Sequence, residues 1–294
     1  MRTSAVRSAN LTFRVLTPPD QGALEIFLER HWSSSVTLIA YSRSGGLFDQ
    51  GYPFQGTYVA AWDGATIVAL AVHYSNNVMV VQAPQSLTPI VRMAASESRR
   101  PVMAVQGPWP QVEAAVGALG IAPRNKFVGK PQSLSTLDMG KLQVPEVMGR
   151  GEVTARKATM DDIPTLVSWI SEMHVQSNGA TDSPELRDYV EQELQQQVQA
   201  SGLFVAETDH IVATACYEIW SPPTVKIGSV YAPPEYKDKG YAACAVYAAL
   251  ELARSHGVQR AAILCDRNNM ALQRSYRAMG FMALNDYGVL RYAG

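Results

Sequence analysis

The sequence predicts a mixed α/β protein in which two copies of one domain follow each other, and three features carry that expectation. The second half alternates β-branched and aromatic runs with runs of helical apolar spacing. The first half repeats segments of the second. At 294 residues with 47% apolar content, the chain is long enough for two domains of ordinary size.

From Val153 the second copy reads as a strand and then a helix from Met160 to Met173, opened by Thr159 as N-cap with Asp162 three residues on, where a capping box usually has Glu. A loop from His174 to Ser183 follows, and Ser183-Pro184 starts a second helix that runs to about Gln199. Strands are expected at Leu203 to Thr208, Ile211 to Trp220 and Lys226 to Ala232. Pro233-Pro234 ends the last of these, because proline cannot donate to a ladder. The loop Glu235 to Ala242 then runs into a helix that begins near Gly240, carries Val246, Ala249, Leu250 and Ala253 on one face, and closes at His256-Gly257. A short strand Ala261 to Leu264, a helix Ala271 to Phe281 and a final strand Val289 to Ala293 complete the copy. That last strand either pairs with another chain or completes its own sheet.

In the first half, Tyr58 to Asp63 followed by Ile67 to Ala71 echoes Phe204 to Asp209 followed by Ile211 to Ala215, each a strand, a tight turn and a second strand. Val81-Gln82-Ala83-Pro84 echoes Val230 to Pro233, and Ala118-Leu119-Gly120-Ile121 echoes Ala278 to Phe281. The copies differ where chemistry would sit: no glycine follows Pro84 at the expected turn, and Val116 stands where the second copy has Tyr276. The first copy reads as degenerate. Glycines and a proline between Asp138 and Gly151 mark a linker, which divides the chain into domains at 1–145 and 150–294.

A formal net charge of −1 offers no basic field for nucleic acid or acidic lipid. Cys216, Cys244 and Cys265 all fall in apolar runs and read as buried reduced thiols, an odd set without metal-ligand spacing. No histidine has a neighbour at metal-ligand spacing, so no metal is expected. Met1 to Asn10 lacks an apolar signal core, and no apolar run is long enough to span a bilayer. The reading is a soluble cytoplasmic protein, monomer or homodimer, with no nucleic-acid or membrane partner.

The turn from strand to helix at Lys237-Asp238-Lys239-Gly240-Tyr241-Ala242 is the strongest chemical signal. Amides at a helix start lack intrahelical partners and form an anion site with the positive end of the helix dipole. Gly240 lets the backbone come close to a phosphate, Ala242 keeps the approach open, and Lys237 and Lys239 add charge. Further on, Asn269, then Tyr276, then Gly280-Phe281 keep a fixed order. Together these motifs resemble the GCN5-related N-acetyltransferase (GNAT) family over about residues 150 to 294. Its phosphate loop reads Gln/Arg-x-x-Gly-x-Gly/Ala, and this chain departs from it at Lys237.

The resemblance implies tandem domains, each a central, mostly antiparallel sheet flanked by helices, and acetyl-CoA as co-substrate. Lys237 to Ala242 would hold the pyrophosphate, and the backbone at Val230 and Tyr231 the pantetheine arm. Tyr276 would be the acid for the leaving thiolate, and Glu218 the base, directly or through water. Asn269 would bond the cofactor or cap its turn. Tyr217 should face away from Glu218 by strand alternation. The acceptor pocket would draw on the loops around His174 to Ser183 and Trp220 to Thr224, on Trp169, Tyr217 and Trp220, and on Phe54, Tyr58 and Trp109 of the first copy. The implied function is acetyl transfer to the amine of a small molecule. The alternatives are acyl transfer from a longer acyl-CoA to an amino acid and, in a different class, acyl-CoA sensing without turnover.

Overall fold

The computed structural model describes residues 11–120, 127–178 and 180–292. Ile121, Ala293 and the Met1 to Asn10 segment, on which three of the expectations fall, lie outside the described residues. The chain divides into two compact units, one reaching to Gln132 and taking in the residues from Asn285 onward, the other spanning Ser133–Leu284. The sequence places one boundary at 145–150; the chain instead passes between units near 132 and again near 284.

In the first unit the elements run β1 (Thr12–Val15), α1 (Gln21–Arg30), α2 (Trp32–Gly45), β2 (Gly56–Asp63), β3 (Thr66–Tyr74), β4 (Val78–Gln82), α3 (Leu87–Ser98), β5 (Ala104–Pro108), α4 (Trp109–Leu119) and β6 (Phe127–Val128). The second unit holds β7 (Gln132–Asp138), α5 (Glu146–Gly149), β8 (Thr154–Lys157), α6 (Ile163–Asn178), α7 (Pro184–Gln199), β9 (Leu203–Glu207), β10 (Ile211–Ser221), β11 (Thr224–Tyr231), α8 (Tyr241–Ser255), β12 (Arg260–Asp266) and α9 (Met270–Ala278). The last strand, β13 (Met282–Tyr292), pairs antiparallel with β5 from Tyr287 to Arg291. Its C-terminal part therefore completes the first unit's sheet, in the order β1-β2-β3-β4-β5-β13. The second unit's sheet runs β7-β12-β11-β10-β9-β8.

The two units repeat one topology. β1-β2-β3-β4 pair antiparallel and β4-β5 parallel, and β8-β9-β10-β11 pair antiparallel and β11-β12 parallel in the same order. Their entries match in detail. Thr17 with Asp20, and Thr159 with Asp162, each form a capping box over a 3-10 turn. Arg14 pairs with Asp20 at 2.6 Å, and Arg156 with Asp162 at 2.8 Å. Helix α6 accordingly starts at Ile163, after that turn, and runs to Asn178, so His174 lies on the helix rather than in a loop. Ser183 caps α7 by accepting from the Leu186 amide at 3.3 Å.

Segment 138–151 is no linker. It contains a 3-10 turn at Met139–Lys141 and α5, and its Met139, Leu142, Val147 and Met148 join Leu137 in the apolar core between the second unit's sheet and α8 and α9. Gly280 explains part of this closeness, because any Cβ there would collide with the Lys141 carbonyl oxygen. A second core lies on the opposite sheet face beneath α6 and α7, around Leu166, Ile170, Val190, Leu194 and Cys216.

Candidate active site

The site is built where β11 and β12 part. Their parallel ladder runs from Thr224↔Arg260 to Ile227↔Ile263 and stops, although β11 continues to Tyr231 and β12 to Asp266. A bulge accounts for the parting. On the other edge of β11, Cys216↔Gly228 is followed by Thr214↔Tyr231, so β11 spends an extra residue there, and Ser229 takes a φ of 45°. Bulges twist a strand away from its neighbour, and a non-glycine residue at positive φ is held there by its surroundings. Local periodicity gives no sign of it.

At the end of β11 the chain turns through Pro234–Tyr236 into the loop and α8. Asp238 (φ 62°) and Gly240 (φ 83°) both lie in the left-handed region, and Gly240 is the N-cap position without a side-chain cap. Among the described residues, the amides from Asp238 to Ala242 have no acceptor within the chain. The loop thus offers a row of unpaired donors flanked by the exposed side chains of Lys237 and Lys239. Val147 of α5 packs beside Gly240, a contact that a linker would not make.

Tyr276, on α9, is 1% exposed and shares the core with Cys265, while Val230, Tyr241 and Ala242 pack against that same core. Its hydroxyl is buried and has no hydrogen-bond partner among the described residues. Burial, with a small contribution from Cys265, pushes its phenol well above the ordinary range, so it keeps its proton at neutral pH. Burial also raises the Cys265 thiol to about 11, leaving it inert. Asn269 caps α9, its Oδ1 accepting from the Leu272 amide at 3.0 Å.

Glu218 sits in the irregular part of β10, between Tyr217↔Ile227 and Ile219↔Lys226. Its side chain is 45% exposed, and its Oε1 lies 2.5 Å from Lys226 Nζ, whose side chain is only 6% exposed. Its Oε2 lies beside Gly228, where a Cβ would come within 2.9 Å of it. Nothing in the local sequence signals this partnership, since a lysine on a strand usually reads as an exposed edge. Tyr217 does face away: it is buried under α8 and donates to the Ala249 carbonyl at 2.5 Å.

The three aromatics expected to wall an acceptor pocket are not brought together. Tyr217 and Trp220 stack at 4.9 Å, with His256 next to Trp220. Trp169 instead packs on Tyr231, whose hydroxyl donates to Glu172 at 2.8 Å. In the first unit, Tyr58 is fully buried beside Tyr74, and Phe54 stacks on Tyr41. All three cysteines are buried and unpaired. No helix is long and apolar enough to cross a membrane among the described residues.

Comparison with known proteins agrees with this geometry. Residues 164–281 match the model of the acetyltransferase (GNAT) family. That segment contains the parting strands β11 and β12 and the turn at Gly240. The whole fold is similar to an acetyltransferase of the GNAT family from Colwellia psychrerythraea (11% identity, TM-score 0.52, covering 96% of this chain and 99% of that one). It is also similar to a GCN5-related N-acetyltransferase from Sphaerobacter thermophilus (15% identity, TM-score 0.53, 96% and 95%) and to a Drosophila protein (11% identity, TM-score 0.60, 96% and 99%). At such identities the likeness is one of fold. No curated protein matches the sequence.

Proposed function

We propose that the second unit transfers an acetyl group from acetyl-CoA to the amine of a small molecule. The observation that carries this reading is the buried hydroxyl of Tyr276, without a partner among the described residues, in the core that Cys265 shares and Val230 packs against. An orphaned buried donor costs about 1–3 kcal/mol. Such a cost persists where a ligand atom takes up the bond. The residues fit an acyl-CoA: unpaired amides and two lysines suit a pyrophosphate, and the β11 edge beyond Ile227 has free backbone groups for an amide-bearing arm.

When bound, acetyl-CoA supplies an activated acyl group on a thiolate leaving group. The loop amides of Lys239 to Ala242, with Lys237, hold its diphosphate, and Gly240 admits the close approach. Backbone donors of β11 near Val230 and Tyr231 orient the arm and face the developing oxyanion. Tyr276, protonated at neutral pH, hydrogen-bonds to the departing sulfur and delivers the proton it needs. Glu218 keeps one oxygen on Lys226 and uses the other to take the amine's proton, directly or through water. Asn269 supports the site by fixing the start of α9, with its amide nitrogen left over for the cofactor.

The first unit, on this reading, has lost the cofactor site. Only four residues (83–86) link β4 to α3, against nine (232–240) between β11 and α8. Gly107 of β5 lies so close to the Val81 carbonyl of β4 that a Cβ there would come within 2.6 Å of it, so these two strands stay adjacent one residue past their last paired residues. Buried Val116 stands in place of a phenol.

The test is turnover. Acetyl-CoA incubated with the protein and a panel of amino acids, polyamines and amino sugars should release free CoA thiol with at least one amine. Tight acetyl-CoA binding without release across the panel would overturn the enzyme reading in favour of a sensor. Faster release from a longer acyl-CoA would redirect it to acyl transfer.

A further inference from the structure

Beside the phosphate loop, and used by none of the chemistry above, three side chains form a hydrogen-bonded chain across two elements. The β9–β10 turn carries Asp209 and His210, and the 3-10 turn after β11 carries Tyr236. Asp209 Oδ1 lies 2.7 Å from His210 Nδ1, and His210 Nε2 lies 2.5 Å from the Tyr236 hydroxyl. One tautomer satisfies both contacts: Nδ1–H donates to the carboxylate, and Nε2 accepts from the phenol. The Tyr236 ring then meets two residues flanking Gly240. The Lys239 ammonium stands 5.6 Å from its centroid, and the Tyr241 ring is 6.4 Å away.

The loop needs such an external hold. Tyr236 and Lys237 donate back to Pro233 and Pro234, and Ala243 donates to Gly240, but among the described residues no backbone bond fixes the amides between them. Gly240 adds further freedom. A ligand that had to order these amides would lose affinity to the entropy of doing so. We infer that His210, oriented by Asp209, is a positioning residue for the phosphate loop: by fixing Tyr236 it sets where Lys239 and the amides around Gly240 point, and so sets affinity for the acyl-CoA diphosphate. This inference rests on the acyl-CoA reading above.

The experiment is a double-mutant cycle on acetyl-CoA affinity, measured by calorimetry at one ionic strength for the wild type, His210→Ala, Tyr236→Phe and the pair. Tyr236→Phe keeps the ring contacts and removes only the hydroxyl. Each single change should weaken binding roughly three- to tenfold, the worth of one net hydrogen bond. The pair should be no weaker than the worse single change, and His210→Gln, whose Oε1 can accept the phenol proton, should recover most of the loss. Without ligand, amide hydrogen exchange across residues 237–242 should quicken in both single variants while the melting temperature holds. Unchanged affinity and exchange in the single variants, or strictly additive losses, would overturn the inference alone. A wild type that binds no acetyl-CoA would overturn the acyl-CoA reading and this inference with it.

Discussion

Tyr276→Phe should make the ligand-free protein more stable and the enzyme far slower, and few substitutions separate those two quantities so cleanly. The phenol is 1% exposed, packs 5.6 Å from the Phe281 ring, and holds a hydroxyl with no partner among the described residues. Phenylalanine keeps the ring and removes the unsatisfied group, which recovers about 1–3 kcal/mol. In a domain of this size each kcal/mol moves the melting temperature by roughly 2–4 °C, so the variant should melt several degrees higher. Losing the group that protonates the leaving thiolate should lower the turnover number by about 10²–10⁴. Calorimetric melting without ligand and thiol release under saturating acetyl-CoA measure the two effects. A variant that melts lower than wild type and turns over equally fast would refute the reasoning on both counts.

Three further expectations follow from particular contacts. Glu218→Gln should slow transfer roughly a hundredfold at neutral pH, and an unchanged rate would leave the carboxylate only the task of pairing with Lys226. A chain starting at residue 150 lacks β7 and loses Leu137, Met139 and Leu142 from the second unit's core. At about 2–5 kcal/mol for each large side chain removed it should not fold, whereas a chain starting at 133 should; cooperative melting of the 150 variant would contradict this. The third concerns pH. Burial, aided by Arg100, lowers the His73 pKa to about 4, so the native state resists protonation that the unfolded chain accepts near 6.5. Stability is therefore full above pH 6.5 and falls as the pH drops toward 4, by about 2 kcal/mol at pH 5. Denaturant titrations should show that slope in the wild type and lose it in His73→Gln.

The sequence made local features legible and left non-local ones hidden. Strand β11, the turn at Gly240, α8 and the Ser183 cap of α7 are written in residues next to one another. The repeat is legible too, and its plainest signal is Arg14-x-x-Thr17-x-x-Asp20 against Arg156-x-x-Thr159-x-x-Asp162, plainer than the strand echoes. Gly140, Pro145 and Gly149 break the period of segment 138–151, although Met139 and Leu142 are buried and Val147 is partly buried through tertiary contacts. No window of sequence shows that β13 serves β5, or that Lys226 bends inward to Glu218, since both depend on chain segments far apart or on a bulge. The acceptor side fared worst for the same reason: Trp169 and Trp220 are close in type but lie in different clusters.

The proposed chemistry requires acetyl-CoA to be held by the loop after β11. Its most direct measurement is calorimetric titration of acetyl-CoA into the wild type and into Gly240→Asp, which sets a carboxylate and a strained φ of 83° where the diphosphate should lie. Saturable binding by the wild type that the substitution abolishes, with both proteins folded, is the predicted result. No binding by the wild type, or equal binding by both, would contradict it.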